Sequence, residues 1–231
     1  MRAEEGGNAT GLDEADAGGT RSQSEPVQQT EALDASGDAA GSVQNLQVHR
    51  LLTALGGRVQ FASLVPTGTG DGPMRVATFE AGDPAADAFV ARSDREGRAC
   101  YYSLNIVRDG LTKKATKADI VAARGVHVDM DPPADGSPFD RAAALALLRG
   151  LPIPPSYIVN SGNGLQPVWL FDRPVHNLDL VEGINRQLIK LTGGDACFNI
   201  DRLLRVPGSI NTPTAKKAAA GRVPVPAEFV A

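Results

Sequence analysis

The sequence predicts an α/β or α+β domain, a sheet covered by helices, on three observations. Apolar runs alternating with a period of two intermix with amphipathic stretches of helical period. Gly, Pro and Asn-Gly signals separate these runs at short intervals, as hairpin turns and helix ends do. The chain has 231 residues, 42% of them hydrophobic, enough to bury a core without disulfide staples.

The elements follow in order. Residues 1–44 hold nine acids against Arg2 and Arg21 and almost no large aliphatic residue. Such a segment cannot offset its ordering entropy by burial, so a disordered acidic tail is expected there, with the folded domain over 45–231. The tail carries −7 and the whole chain −4, which leaves +3 on the domain and keeps nucleic acid open as a partner. Leu51, Leu52 and Leu55 before Gly56 and Gly57 predict a helix over 44–57. Residues 58–66 and 74–81 read as strands, and Asp83-Pro84 opens a helix to about Ser93. Residues 99–107 read as a strand, and 117–123 as a helix with Thr116 and Asp119 as its capping box. A strand is expected over 125–131, a helix from Ser137-Pro138 to Leu148, strands over 156–160 and 164–171, and a helix over 178–191 closed by Gly193 and Gly194.

Composition excludes several classes. Cys100 and Cys197 form no CxxC, and His49, His127 and His176 are scattered, so no zinc-site pattern exists. No apolar run approaches the ~20 residues of a membrane span. The first residues lack an apolar signal core, so the expected compartment is the cytoplasm, with no membrane partner.

Three constellations carry chemistry. In GVHVDMD, Val126, Val128 and Met130 share one strand face and His127, Asp129 and Asp131 the other. Paired carboxylates repel, and a hard divalent cation relieves that repulsion; equally, Asp131 could open the loop that follows, with Asp129 solvated. Next, Ser161-Gly162-Asn163-Gly164 joins two apolar strands. It reads as a plain hairpin turn or as a backbone approach to phosphate, with Gln166 a polar group nearby. Trp169 and Phe171 read as core. Last, in DRLLRVPGSIN, Asp201, Arg202, Arg205 and Asn211 frame apolar residues, and Lys216, Lys217 and Arg222 follow. That run reads as a structural ion pair or as a ligand beside phosphate-binding cations.

In this order, VHVDMD, SGNGLQ and DRLLRVPGSIN resemble the motifs of the archaeo-eukaryotic primase superfamily, in its RepB-like branch from plasmids, phages and integrated elements. YYSLN and KATKADI upstream are similar too, so the resemblance covers roughly residues 46–217. It implies a two-lobed catalytic domain with a recognition-motif-like mixed sheet covered by helices. It implies a DNA primase or primase-polymerase, a nucleotidyltransferase of plasmid, phage or mobile-element replication acting on nucleoside triphosphates and a single-stranded DNA template. Asp129, Asp131 and Asp201 would hold two Mg²⁺ or Mn²⁺ ions. Ser161, Gly162, Asn163 and Gln166 would hold triphosphate or sugar, with Asn211 beside them, and Arg202, Arg205, Lys216 and Lys217 would neutralise phosphates or guide template. His127 would support the aspartates by a hydrogen bond. Many such proteins carry His at the place of Gln166, where it contacts the incoming nucleotide. The chain has no GxxxxGKS/T motif, so a replicative helicase would act in trans. Two alternatives remain: a catalytically impaired initiator module of the same fold that binds nucleic acid or nucleotides, and a metal-dependent phosphoesterase or nicking enzyme.

Overall fold

A computed structural model describes residues 35–67, 73–133 and 137–230. Helix α1 (Ala35–Leu55) buries Val48, Leu51, Leu52 and Leu55, the stripe expected from the sequence. It starts at Ala35 rather than 44, so the last part of the expected tail is helical; residues 1–34 lie outside the described residues. The amide of Gln44, inside that stretch, donates to Asp94 Oδ2 at 2.8 Å. Strands β1 (Val59–Leu64) and β2 (Arg75–Phe79) follow, then helix α2 (Pro84–Arg95), whose Asp83 cap accepts the Ala85 N–H as expected. Strands β3 (Ala99–Ser103) and β4 (Ile106–Val107) come next.

The helix expected over 117–123 does not form. The Thr116–Asp119 capping box is present, but it closes only a 3₁₀ turn, and the chain enters strand β5 (Ile120–His127). Ile120 and Val121 are β-branched, and pairing along both edges of β5 outweighs the local helix signal. Helix α3 (Arg141–Arg149) stops at Gly150 as expected but starts on Asp140, which accepts the Ala143 N–H, and not on Ser137-Pro138. Strands β6 (Tyr157–Asn160) and β7 (Leu165–Val175) form the hairpin around the SGNG turn, and helix α4 (Leu178–Thr192) ends on left-handed Gly193. The remaining elements are β8 (Leu203–Arg205), β9 (Ile210–Asn211), α5 (Ala215–Ala219), β10 (Val225–Pro226) and β11 (Glu228–Phe229).

The strands form one sheet in the order β2-β1-β3-β8, a second in the order β11-β6-β7-β5-β4, and a β9–β10 pair. Every ladder among the described residues is antiparallel, so the sheets are not mixed. The second sheet is buried on both faces. Tyr157, Val159 and Val168 join Phe61, Tyr102, Leu51 and Leu204 in the core beneath the first sheet and α1. Ile158, Leu165, Trp169 and Val126 face Leu148 of α3 and Val181 of α4. Tyr102 and Tyr157 meet hydroxyl to hydroxyl at 3.0 Å, which satisfies two buried polar groups across the sheets. Trp169 is core, its indole N–H given to Ile153 O. The Asp-x-Asp segment follows β5, where Met130 bridges to Leu165 of β7.

Candidate functional site

Val126, Val128 and Met130 anchor the Asp-x-Asp segment in the core, and Met130 pairs with Leu165 beyond the end of β5. Period two then turns Asp129 and Asp131 into a cleft of about 290 Å³. Leu64, Pro66 and Tyr101 line it, as do Ser161, Asn163 and Gln166 of the hairpin, Arg202, Leu203 and Arg205 of the β8 segment, and Asn211, Thr212, Pro213, Thr214, Lys217 and Arg222.

Asp129 is 6% exposed, and both its oxygens are bonded: Gln166 Nε2 donates to Oδ1 at 3.1 Å, and Arg202 Nη2 to Oδ2 at 3.2 Å. Asp131 is exposed by area, but its Oδ1 lies against Gly164, where a Cβ would come within 2.8 Å of it. Burial, then the charges of Asp129 and Asp195, push its acid range up, while Lys217 and Arg222 pull it down. The glycines of SGNG serve this packing. A Cβ at Gly164 would strike Met130 O, and Gly162 turns at φ +92° against Val225. Their N–H groups are taken, Gly162's by Asn160 Oδ1 and Gly164's by Ser161 Oγ. The turn thus positions the cleft wall; it does not offer those two amides to a phosphate.

Arg205 is the most buried of the cations that line the cleft. It is 7% exposed, stacked 4.1 Å above the Tyr101 ring, and its Nη2 donates to Tyr101 Oη at 2.9 Å and Asn211 Oδ1 at 3.0 Å. Asn211 in turn donates to Ser161 O. Arg205 Nη1 and Arg202 Nε are buried without a protein partner. Donors held rigidly and left unpaired at a cleft suit an anion.

Asp201 does not line the cleft. Its carboxylate accepts from Asn199 Nδ2 at 2.8 Å and lies 3.5 Å from Lys114 Nζ. Gly162 and Lys216 also lie outside the lining. The carboxylate beside the Asp-x-Asp pair belongs to Asp195, whose N–H donates to Asp129 O at 2.7 Å, although Asp195 too lies outside the cleft lining. Burial and then the charge of Asp129 raise the Asp195 acid range. Asp195 sits after two glycines, where sequence reads only a loop. Its signal is contact with residues far away in the chain: Asn185 Nδ2 holds Phe198 O and His127 Nε2 holds Cys197 O, pinning the loop. His127 is fully buried, which lowers it to about 4, so it is neutral and does not bond the aspartates. Tyr101 and Arg222 were legible as a strand aromatic and a late cation, not as cleft residues.

The donor chemistry fits a hard divalent cation: Asp129 and Asp131 face one cleft, and burial, then the charge of Asp129, raises the acid ranges of Asp131 and Asp195. Among the described residues, no group of three or more His, Cys, Asp or Glu is set close enough to hold a metal ion. No helix among them is long and apolar enough to cross a membrane.

No family model and no curated protein matches the chain. Solved structures do. The primase-polymerase domain of cyanophage S-2L superposes with a TM-score of 0.56 at 18% identity, over 81% of this chain and 89% of that one. Primase RepB' superposes with a TM-score of 0.57 at 15% identity; the match covers 81% of this chain and 56% of that one. The catalytic domain of primase RepB' in complex with initiator DNA gives 0.55 at 15%, over 80% and 84%. With its antiparallel sheets of orders β2-β1-β3-β8 and β11-β6-β7-β5-β4, the chain shares the fold of these primase and primase-polymerase catalytic domains.

Proposed function

We propose that this protein is a DNA primase or primase-polymerase: it joins the 3′-hydroxyl of a growing strand to the α-phosphate of a nucleoside triphosphate, directed by a single-stranded DNA template. The observation that carries the reading is one cleft holding Asp129 and Asp131 together with the buried, unpaired Arg205 Nη1. The new bond is O3′–Pα; the bond lost is Pα–O to the β-phosphate, with pyrophosphate leaving and the hydroxyl proton released. Arg205, Arg202, Lys217 and Arg222 bind the phosphates and hold the charge that develops on them. Asp129 and Asp131 are the residues that would hold Mg²⁺ or Mn²⁺, with Asp195 behind them. Such ions, when bound, acidify the attacking hydroxyl and stabilise the leaving pyrophosphate.

The lining includes apolar Leu64 and Pro66 as well as Lys217 and Arg222, and this reading assigns the nucleoside to Leu64 and Pro66 and the phosphates to the cations. Leu64→Trp should then raise the nucleotide KM about tenfold, a loss of ~1.4 kcal/mol, and leave inhibition by inorganic tripolyphosphate unchanged. Equal loss of both would reverse the assigned orientation.

The direct test is labelled nucleotide incorporation on single-stranded DNA with Mg²⁺ or Mn²⁺. Absence of product with either ion, while nucleotide or DNA still binds, favours the second reading, a catalytically silent initiator module. That reading draws on Asp129, whose two oxygens are already bonded within the protein. A helicase in trans and a role in plasmid, phage or mobile-element replication accompany the first reading. Deleting residues 1–34, which are poor in core-forming residues, should leave incorporation and the melting temperature unchanged; a fall in either would place part of the folded domain in that segment.

A further inference from the structure

Gln166 stands on β7 where similar sequences often carry a histidine that contacts nucleotide. Here the side chain is 6% exposed and its two ends are bonded within the protein. Nε2 donates to Asp129 Oδ1 at 3.1 Å, and Oε1 accepts the backbone N–H of Arg205 at 2.8 Å. The two partners fix which way the amide points, because only nitrogen can face the carboxylate and only oxygen can face the N–H. The same residue therefore spans from the Asp-x-Asp segment to β8, the strand that carries Arg205.

We infer that Gln166 is a positioning residue for Asp129: a neutral strut that sets the plane of the carboxylate against the backbone of β8, with Arg202 holding the other oxygen. This rests on the proposed nucleotidyl-transfer reading. A nucleotide contact would act on substrate binding. A strut acts on the carboxylate, and so on cation binding and turnover. Imidazole in its neutral form also offers one donor and one acceptor, so histidine could fill the same span, whereas a thioether could fill the volume but make neither bond.

The full chain carrying Gln166→Met or Gln166→His is compared with the unaltered protein in two assays. Manganese binding is read without nucleotide, from loss of the free-ion spin-resonance signal. Incorporation is read as separate kcat and KM for nucleotide. Groups that orient a metal's carboxylate ligands contribute about 10–100-fold in metal affinity or activity. Gln166→Met is expected to lose about tenfold or more in both manganese affinity and kcat, with KM within about threefold, and Gln166→His to recover most of that loss. A raised KM with kcat and manganese affinity intact would make Gln166 a nucleotide contact and overturn the inference; so would unchanged behaviour in both assays. Should Gln166→Met fail to fold, Gln166→Asn replaces it, one methylene too short to span both partners and expected to show the same two losses. If the unaltered protein incorporates no nucleotide, the functional reading fails while the manganese arm still decides the strut.

Discussion

Asp129→Asn and Asp131→Asn should each remove template-directed incorporation, by about 10²–10³-fold or more, since a carboxylate lost from a divalent-ion site forfeits several kcal/mol of transition-state stabilisation. Their effects on stability should differ. Asp129 accepts from Gln166 and Arg202 in a buried position. An amide there turns a donor toward one of two donors, leaving a buried group unpaired at about 1–3 kcal/mol. Asp131 has the opposite balance: burial and two neighbouring carboxylates raise its acid range. A raised carboxyl weakens the folded state as pH rises through its folded pKa, and the penalty vanishes below the unfolded value. Asp131→Asn should therefore melt at or above the unaltered protein at neutral pH and coincide with it in acid. Thermal melts from pH 3 to 8 beside incorporation assays check both; an Asp131→Asn protein that melts well below the unaltered one at neutral pH would mean that the carboxylate is a structural partner.

Much of this arrangement was readable before any coordinates, and the reason lies in local period. The alternation through Val126, Val128 and Met130 placed Asp129 and Asp131 on one face, and the Asn-Gly turn placed Gln166 on the neighbouring strand; both depend only on residues adjacent in the chain. Arg202 and Arg205 stood out because two cations flank an apolar stretch. What could not be read depends on distant contacts. The 117–123 segment carries a true capping box, yet pairing with β4 and β7 makes most of it strand. The sequence favours Asp201, beside its arginines, over Asp195 in a glycine loop. Only the catch of Cys197 and Phe198 carbonyls by His127 and Asn185, 70 and 13 residues away, decides which one meets the Asp-x-Asp pair. Arg222 enters the cleft because β10 returns beside β9, a pairing of two residues with no strong signature.

Asp195→Asn and Asp201→Asn should separate the two acids. Asp195 is tied to the Asp-x-Asp segment by its N–H on Asp129 O, and burial, then the Asp129 charge, raises its carboxyl. Neutralising it removes a negative charge from beside the two carboxylates of the cleft, so manganese affinity and incorporation should fall together, incorporation by about tenfold to 10²-fold for a group that supports the ligands. Asp201 instead faces Asn199 and Lys114, with the lysine 37% and the aspartate 18% exposed. A pair of that exposure contributes about 0–1 kcal/mol. Asp201→Asn should leave incorporation within about threefold and lower the melting temperature by no more than ~4 °C, the shift expected for ~1 kcal/mol in a domain of this size. Lys114→Met should match that change, and the double variant should add little to either, because both remove one interaction. Loss of incorporation and manganese binding in Asp201→Asn, with both intact in Asp195→Asn, would sink the assignment: the loop of residues 195–201 would then have to rearrange on ion binding and bring Asp201 into the cleft.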